Sequence, residues 1–182
     1  MARAEHILGQ QLQLVLASLN PANRLVCEVM LHTGLRVGDV LALRTDKVRG
    51  SSRFWITEAK TGKAKLVGLP LPLREKLLEQ AGSVWVFESG RDPKNHRTRQ
   101  AVWADIKRAE KAFRLRQNCG THSMRKDYAQ EMLRRFGSVE KVRRALNHSS
   151  ETVTRLYIMA DAIAQRKGMY TKCVQAKTSK GN

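Results

Sequence analysis

The chain predicts a mainly α-helical domain carrying one small antiparallel β-sheet. Three observations carry that expectation. Apolar residues recur at helical spacing over most of the 182 residues. The period switches clearly to an alternating, β-branched pattern in residues 53–69. Helix starts and stops, among them Pro21, Gly34, Pro72, Gly137 and Ser138, fall between the periodic stretches.

Taken in order, Leu8, Leu12, Val15 and Leu19 share one helical face, so the chain opens on an amphipathic helix that Asn20-Pro21 breaks. A second helix is expected over residues 21–31, stopping at Gly34, and a short third over 37–43. Arg53-Phe54-Trp55-Ile56-Thr57-Glu58 is aromatic and β-branched and predicts a strand. Residues 64–69 are its partner, and Ala59-Lys60-Thr61-Gly62-Lys63 is the turn between them, so the hairpin tip carries lysines. Pro72 suits the first turn of a helix ending near Gly82. The apolar run 84–87 fits either a buried strand or core. After a basic loop at 90–99, Val102, Ile106, Ala109 and Phe113 repeat at helical spacing, bordered by Lys107, Arg108, Lys111 and Arg114. Such a helix can pack on one side and face phosphate on another. A further helix is expected over 123–136, stopped by Gly137. Ser138 caps the next, which turns Val142 and Leu146 inward. Helical segments over 152–158 and 161–175 close the fold. We therefore expect one domain over residues 1–176 and a flexible basic tail over 177–182.

Charge narrows the partner. Lys plus Arg number 34 against 16 acidic residues, a formal net charge of +18. On a chain of this size such an excess points to a polyanion, above all nucleic acid. Cys27, Cys119 and Cys173 are odd in number and lack C-x-x-C spacing, which argues against a disulfide framework and a cysteine zinc site. A reducing, intracellular setting (cytoplasm or nucleoid) is the simplest reading. No apolar stretch reads as a signal peptide or a bilayer span.

Three segments carry the chemistry: Thr33-Gly34-Leu35-Arg36-Val37-Gly38-Asp39, Thr121-His122-Ser123-Met124-Arg125-Lys126, and Leu146-Asn147-His148 with Tyr157 nine residues further on. Two arginines, two histidines and a tyrosine suit the cleavage of a DNA phosphodiester by a tyrosine nucleophile. Such cleavage passes through a crowded, phosphorane-like state with extra negative charge on its non-bridging oxygens. Preorganised donors aimed at those oxygens are the largest catalytic contribution. Arginine suits the task because its planar fork bonds two oxygens and keeps its charge. His122 lies three residues before Arg125, so both can project from one helical face.

In this order and at these spacings, Arg36, His122-x-x-Arg125, and His148 followed by Tyr157 resemble the signature of the tyrosine recombinases, and of their phage integrase branch in particular. The turn Glu58-Ala59-Lys60-Thr61-Gly62-Lys63 also resembles that family's catalytic-lysine hairpin. The likeness runs from about Leu25 to Tyr157. It implies the tyrosine-recombinase catalytic-domain fold and a catalytic set of Arg36, Lys60, His122, Arg125, His148 and Tyr157. Arg36 and Arg125 would clamp the phosphate, His148 would donate to a phosphate oxygen, and His122 would assist proton movement. Tyr157 would attack to form a 3′-phosphotyrosyl link and free a 5′ hydroxyl. Lys60 would protonate that leaving oxygen, with Lys63 the alternative; the family's turn fits Lys60 better. The reaction would be metal-independent and use no cofactor, since no metal-ligand spacing is present. Lys63, Arg99, Lys107, Arg108, Lys111 and Lys126 are candidate contacts to double-stranded DNA, and the helix over 99–116 is the candidate for reading a groove.

The resemblance also implies self-association on DNA into a tetrameric synapse, with no membrane partner. Only about two dozen residues precede the first motif region, too few for the DNA-clamping N-terminal domain of most family members. His-x-Leu-Arg is usual in the family, where this chain has Met124 in the apolar place. Site-specific recombination or integration of a mobile or viral element is thus the leading expectation. Type IB topoisomerase-like relaxation and a non-catalytic DNA-binding module of the same fold stay open as alternatives.

Overall fold

A computed structural model describes residues 9–115, 118–148 and 154. Among them the order is α1 (Gly9–Ser18), α2 (Pro21–Thr33), α3 (Val37–Leu41), α4 (Thr45–Gly50), β1 (Arg53–Thr57), β2 (Ala64–Gly68), α5 (Leu71–Gln80), α6 (Arg99–Ala112), α7 (Thr121–Phe136) and α8 (Val139–Ala145). The described residues are mainly helical, with one antiparallel two-stranded sheet, as the sequence predicts.

Helix α2 is the central element, packed against α3, α5, α6 and α7. The Asn20 side chain caps it by accepting from the Ala22 N–H at 3.1 Å, and Pro21 opens its first turn. Gly34 closes it with a left-handed φ of 64°. That glycine is required twice over, because a Cβ there would also lie 2.4 Å from the Tyr128 ring on α7. Val26, Cys27, Val29 and Met30 of α2 are buried with Val102 and Ile106 of α6 and Met124 of α7. A smaller cluster of Ala129, Val142 and Leu146, with Tyr128, Met132 and Leu133 beside it, joins α7 to α8. Each large aliphatic side chain so buried contributes about 1.5–3 kcal/mol. Ser138 caps α8 by accepting from the Lys141 N–H.

The hairpin pairs Arg53 with Gly68 through Thr57 with Ala64. Phe54 and Val67 face the core, and Trp55 and Leu66 face outward at 60% and 41% exposure. By the same alternation Ile56 and Lys65, which pair with each other, share the inward face.

The structure departs from the sequence expectation in a few places. Helix α3 ends at Leu41, and α4 follows where no helix was predicted. Of the two readings for residues 84–87, the structure takes core rather than a strand. Trp85 makes an isolated bridge to Arg44, while Val86 and Phe87 are core. Phe113 is 40% exposed rather than part of the buried stripe, because α6 stops at Ala112 and Phe113 follows its last turn. Leu8, the segments over 152–158 and 161–175 (apart from Thr154) and the tail over 177–182 lie outside the described residues. No helix among the described residues is long and apolar enough to cross a membrane.

Candidate active site

Four of the six residues expected to be catalytic line one cleft of about 390 Å³: Arg36, Lys60, His122 and Arg125. Each arrives from a different structural device. Arg36 sits in extended conformation just before α3, so the turn that ends α2 aims it. Lys60 is exposed at the hairpin tip. His122 and Arg125 stand on the first turns of α7, three residues apart, and therefore on one face. Arg99, at the start of α6, lines the same cleft and is exposed.

His148 reaches the site by another route. Helix α8 ends at Ala145, and Asn147 takes a left-handed φ of 55°, which asparagine tolerates better than most residues. The chain reverses there and His148 follows. Its Nδ1 lies 2.9 Å from the Thr154 hydroxyl, and Thr154 is fully buried. Tyr157 lies outside the described residues.

Two cations hold the carriers of Arg36 and His148 together. Arg125 is only 3% exposed. Its Nη1 donates to the Gly34 carbonyl, and its Nη2 donates to the Leu146 carbonyl at 2.7 Å. Lys65 Nζ donates to the two carbonyls just before these, Thr33 at 2.9 Å and Ala145 at 2.6 Å. The C-terminal ends of α2 and α8, whose last carbonyls lack helical partners, are thus bridged twice by positive charge. Lys65 was not foreseen from the sequence. The available signal was its place opposite Ile56 on the inward face, which needs the strand register to read.

Two buried carboxylates balance this charge. Glu58 Oε2 accepts from Arg36 Nη1 at 2.8 Å and from the Thr61 hydroxyl at 2.9 Å. Asp39 Oδ1 accepts from the Ala59 N–H at 2.9 Å, tying α3 to the hairpin tip beside Lys60. The sequence reading named Asp39 only as a part of its motif, and Glu58 only as the end of the strand and the start of the turn.

The field of the cluster shows in its titrating groups. Partial burial lowers the pKa of His122, and the charges of Arg125, Lys60, Arg36 and Lys126 lower it further. His148 is pushed down to about 4 by burial, then by Arg125 and Arg36. Burial pushes Lys65 down to about 8, with Arg125 adding to the shift. Both imidazoles therefore favour the neutral form more than a free imidazole does.

The candidate DNA contacts divide. Lys63, Arg99 and Lys111 are exposed. Arg108 is exposed but bonded to Asp105 and to the Ser18 carbonyl. Lys107 spends its ammonium on Glu110 at 2.6 Å and on Asn118. Lys126 departs from the expectation of a surface contact: it is only 4% exposed, because its side of α7 is packed inward with Ser123 and Met124.

Comparison with known proteins places the chain in a family. Residues 5–162 match the sequence model of the phage integrase family. The probable integrase/recombinase YoeC of Bacillus subtilis is 29% identical over 135 residues, covering 72% of this chain and 74% of YoeC. The tyrosine recombinase XerD of Mycobacterium tuberculosis is 25% identical over 157 residues, covering 80% of this chain and 50% of XerD. This chain thus spans about half the length of that relative. In structure it is similar to XerA recombinase, with a TM-score of 0.72 at 18% identity over 94% of this chain and 64% of XerA. A similar likeness holds to a lambda integrase dimer bound to a COC′ core site, with a TM-score of 0.71 at 21% identity over 87% of this chain and 60% of that one. These likenesses show the fold.

Proposed function

Because the chain belongs to the phage integrase family, we propose that it is a tyrosine-type site-specific DNA recombinase, which cuts and rejoins double-stranded DNA through a 3′-phosphotyrosyl intermediate. The observation that carries this reading is the convergence of Arg36, Lys60, His122 and Arg125 on one cleft.

In this reading the scissile phosphate enters the cleft, and Arg36 and Arg125 neutralise the charge that grows on its non-bridging oxygens. Arg125 is already fixed by two carbonyls, so it loses little freedom when phosphate binds. In the tautomer that carries its proton on Nε2, His148 Nδ1 accepts from the Thr154 hydroxyl 2.9 Å away, and Nε2–H is the donor to a phosphate oxygen. The Tyr157 phenol has an ordinary pKa near ~10 and needs a base or a strong positive field to attack at neutral pH. His122, neutral and surrounded by cations, can take that proton. The new bond joins Tyr157 Oη to phosphorus, and the bond from phosphorus to the 5′ oxygen breaks. Lys60, exposed at the hairpin tip, gives that oxygen its proton. Attack by a 5′ hydroxyl on the phosphotyrosyl bond reverses the sequence and releases Tyr157. The chain's own cations supply the positive charge, with no metal or cofactor invoked. Lys63, Arg99 and Lys111 bind the flanking backbone, and strand exchange assembles two pairs of protomers on two sites. A DNA substrate also sets its place of action inside the cell, in the cytoplasm or nucleoid.

The test is covalent capture from a randomised pool of nicked duplexes in EDTA. Recovery of an enriched sequence attached to protein supports site-specific recombination. Attachment without enrichment, together with supercoil relaxation, supports a type IB topoisomerase-like activity. DNA binding without attachment supports a non-catalytic module and contradicts the proposal.

A further inference from the structure

Glu58 is the one fully buried acidic side chain among the described residues, and it lies under a cluster of cations. It does not line the cleft; Arg36 does, and Glu58 backs it. Burying a carboxylate is costly unless it is paired and hydrogen-bonded. Here the burial opposes its charge, but hydrogen bonds from Thr61 and Arg36, and the charges of Arg36 and Arg125, outweigh it and hold the carboxyl below its ordinary range.

The same residue closes the hairpin turn through its backbone. Glu58 N–H donates to the Lys63 carbonyl at 3.0 Å, and its own carbonyl accepts from Thr61 and Gly62. Its side chain adds the Thr61 hydroxyl. One residue therefore grips the turn that carries Lys60 and the guanidinium of Arg36, 22 positions earlier in the chain. A guanidinium has five N–H donors; Glu58 engages Nη1, which leaves others for phosphate oxygens. The second carboxylate oxygen, Oε1, is buried and accepts no hydrogen bond.

We propose that Glu58 is a positioning residue that registers Arg36 against the Lys60 turn, so that the phosphate clamp and the proton donor meet the scissile phosphate in a fixed relation. The inference rests on the recombinase reading above.

The test uses the full chain and nicked duplexes recovered by covalent capture, and reads single-turnover attachment. Glu58→Gln keeps an acceptor for Arg36 and Thr61 but loses the charge; Glu58→Ala loses both. A residue acting through its neighbour at a reactive centre is worth about 10–100-fold. We expect a loss of about 100-fold in Glu58→Ala and about 10-fold in Glu58→Gln, with DNA affinity kept within about 3-fold. In an Arg36→Ala background the Glu58→Ala loss should shrink to about 3-fold or less, since groups that act as a unit are not additive. Attachment by Glu58→Ala near the wild-type rate overturns the inference, as does a full loss that recurs without Arg36. A second measurement does not depend on cleavage: side-chain NMR of Arg36 should show resolved, slowly rotating Nη–H signals in the wild type that collapse in Glu58→Ala. Unresolved signals in the wild type also overturn it. Failure of the recombinase reading shows differently, as no covalent product from the wild type while the NMR contrast persists.

Discussion

Lys65 Nζ and the Ala145 carbonyl meet at 2.6 Å, and this contact joins the β-hairpin to the end of α8. The same ammonium bonds the Thr33 carbonyl at the end of α2. Arg36 follows Thr33 by three residues, and His148 follows Ala145 by three. Lys65 thus spaces the segments that carry Arg36 and His148, two of the candidate catalytic residues, without lining the cleft that holds Arg36.

Lys65→Met keeps most of the stem but removes the donors, leaving two carbonyls without this partner. We expect a loss of about 1–3 kcal/mol in urea unfolding at pH 7. The pH dependence has a definite sign. The folded value, about 8, is below the ordinary 10.5, so the folded protein favours the neutral amine. That contribution is fully present above the unfolded value and is lost as pH falls through about 8. Wild type should gain stability from pH 8 toward 10 relative to Lys65→Met; an unchanged difference would mean that the amine is not buried as described.

Gly34→Ala tests the junction of α2 and α7. Its left-handed φ and the 2.4 Å approach of an added Cβ to the Tyr128 ring both oppose any side chain. A destabilisation of about 2–4 kcal/mol is expected by thermal or chemical unfolding. A change under about 0.5 kcal/mol, the range of ordinary surface substitutions, would contradict this packing.

The histidines should not titrate where free imidazoles do. His148 is held down near 4 and His122 is also lowered. For a group depressed in the fold, the stabilising contribution is present above the unfolded value of 6.5 and is lost as pH falls through the folded one. Histidine NMR of the DNA-free protein should therefore show His148 neutral at pH 5.5. Adding DNA should raise its pKa, because phosphate favours the charged form. A midpoint near 6.5 without DNA would refute this picture of the site.

Lys60→Ala should slow attachment about 10²–10⁴-fold, the usual worth of a general acid. A substrate with sulfur in place of the 5′ bridging oxygen has a leaving group that needs no proton, so it should restore most of the rate. If sulfur leaves the defect unchanged, Lys60 has another role. The same substrate tested with Lys63→Ala settles the choice between the two lysines.

Much of this site was legible because its logic is local. The His122–Arg125 spacing places both on one face of any helix, and the caps at Asn20, Gly34, Gly137 and Ser138 mark boundaries that the structure keeps. Less legible were features set by packing between elements. Helix α4 is six residues long, with only Thr45 and Val48 buried, which is too little to establish a period. Lys65 is inward only in the observed register; a slip of one residue would turn it to solvent. Lys126 reads in the sequence as a candidate DNA contact beside Arg125, yet α7 is covered on that side and it is buried. Glu58 gains its meaning from an arginine 22 residues away.

The most direct measurement of the central claim is peptide mapping of the covalent protein–DNA product, run beside Tyr157→Phe. The account predicts a nucleotide attached through its 3′ phosphate to Tyr157 in the wild type and no covalent product from Tyr157→Phe, which still binds the duplex. Attachment to any other residue, or a covalent product that survives Tyr157→Phe, would contradict it.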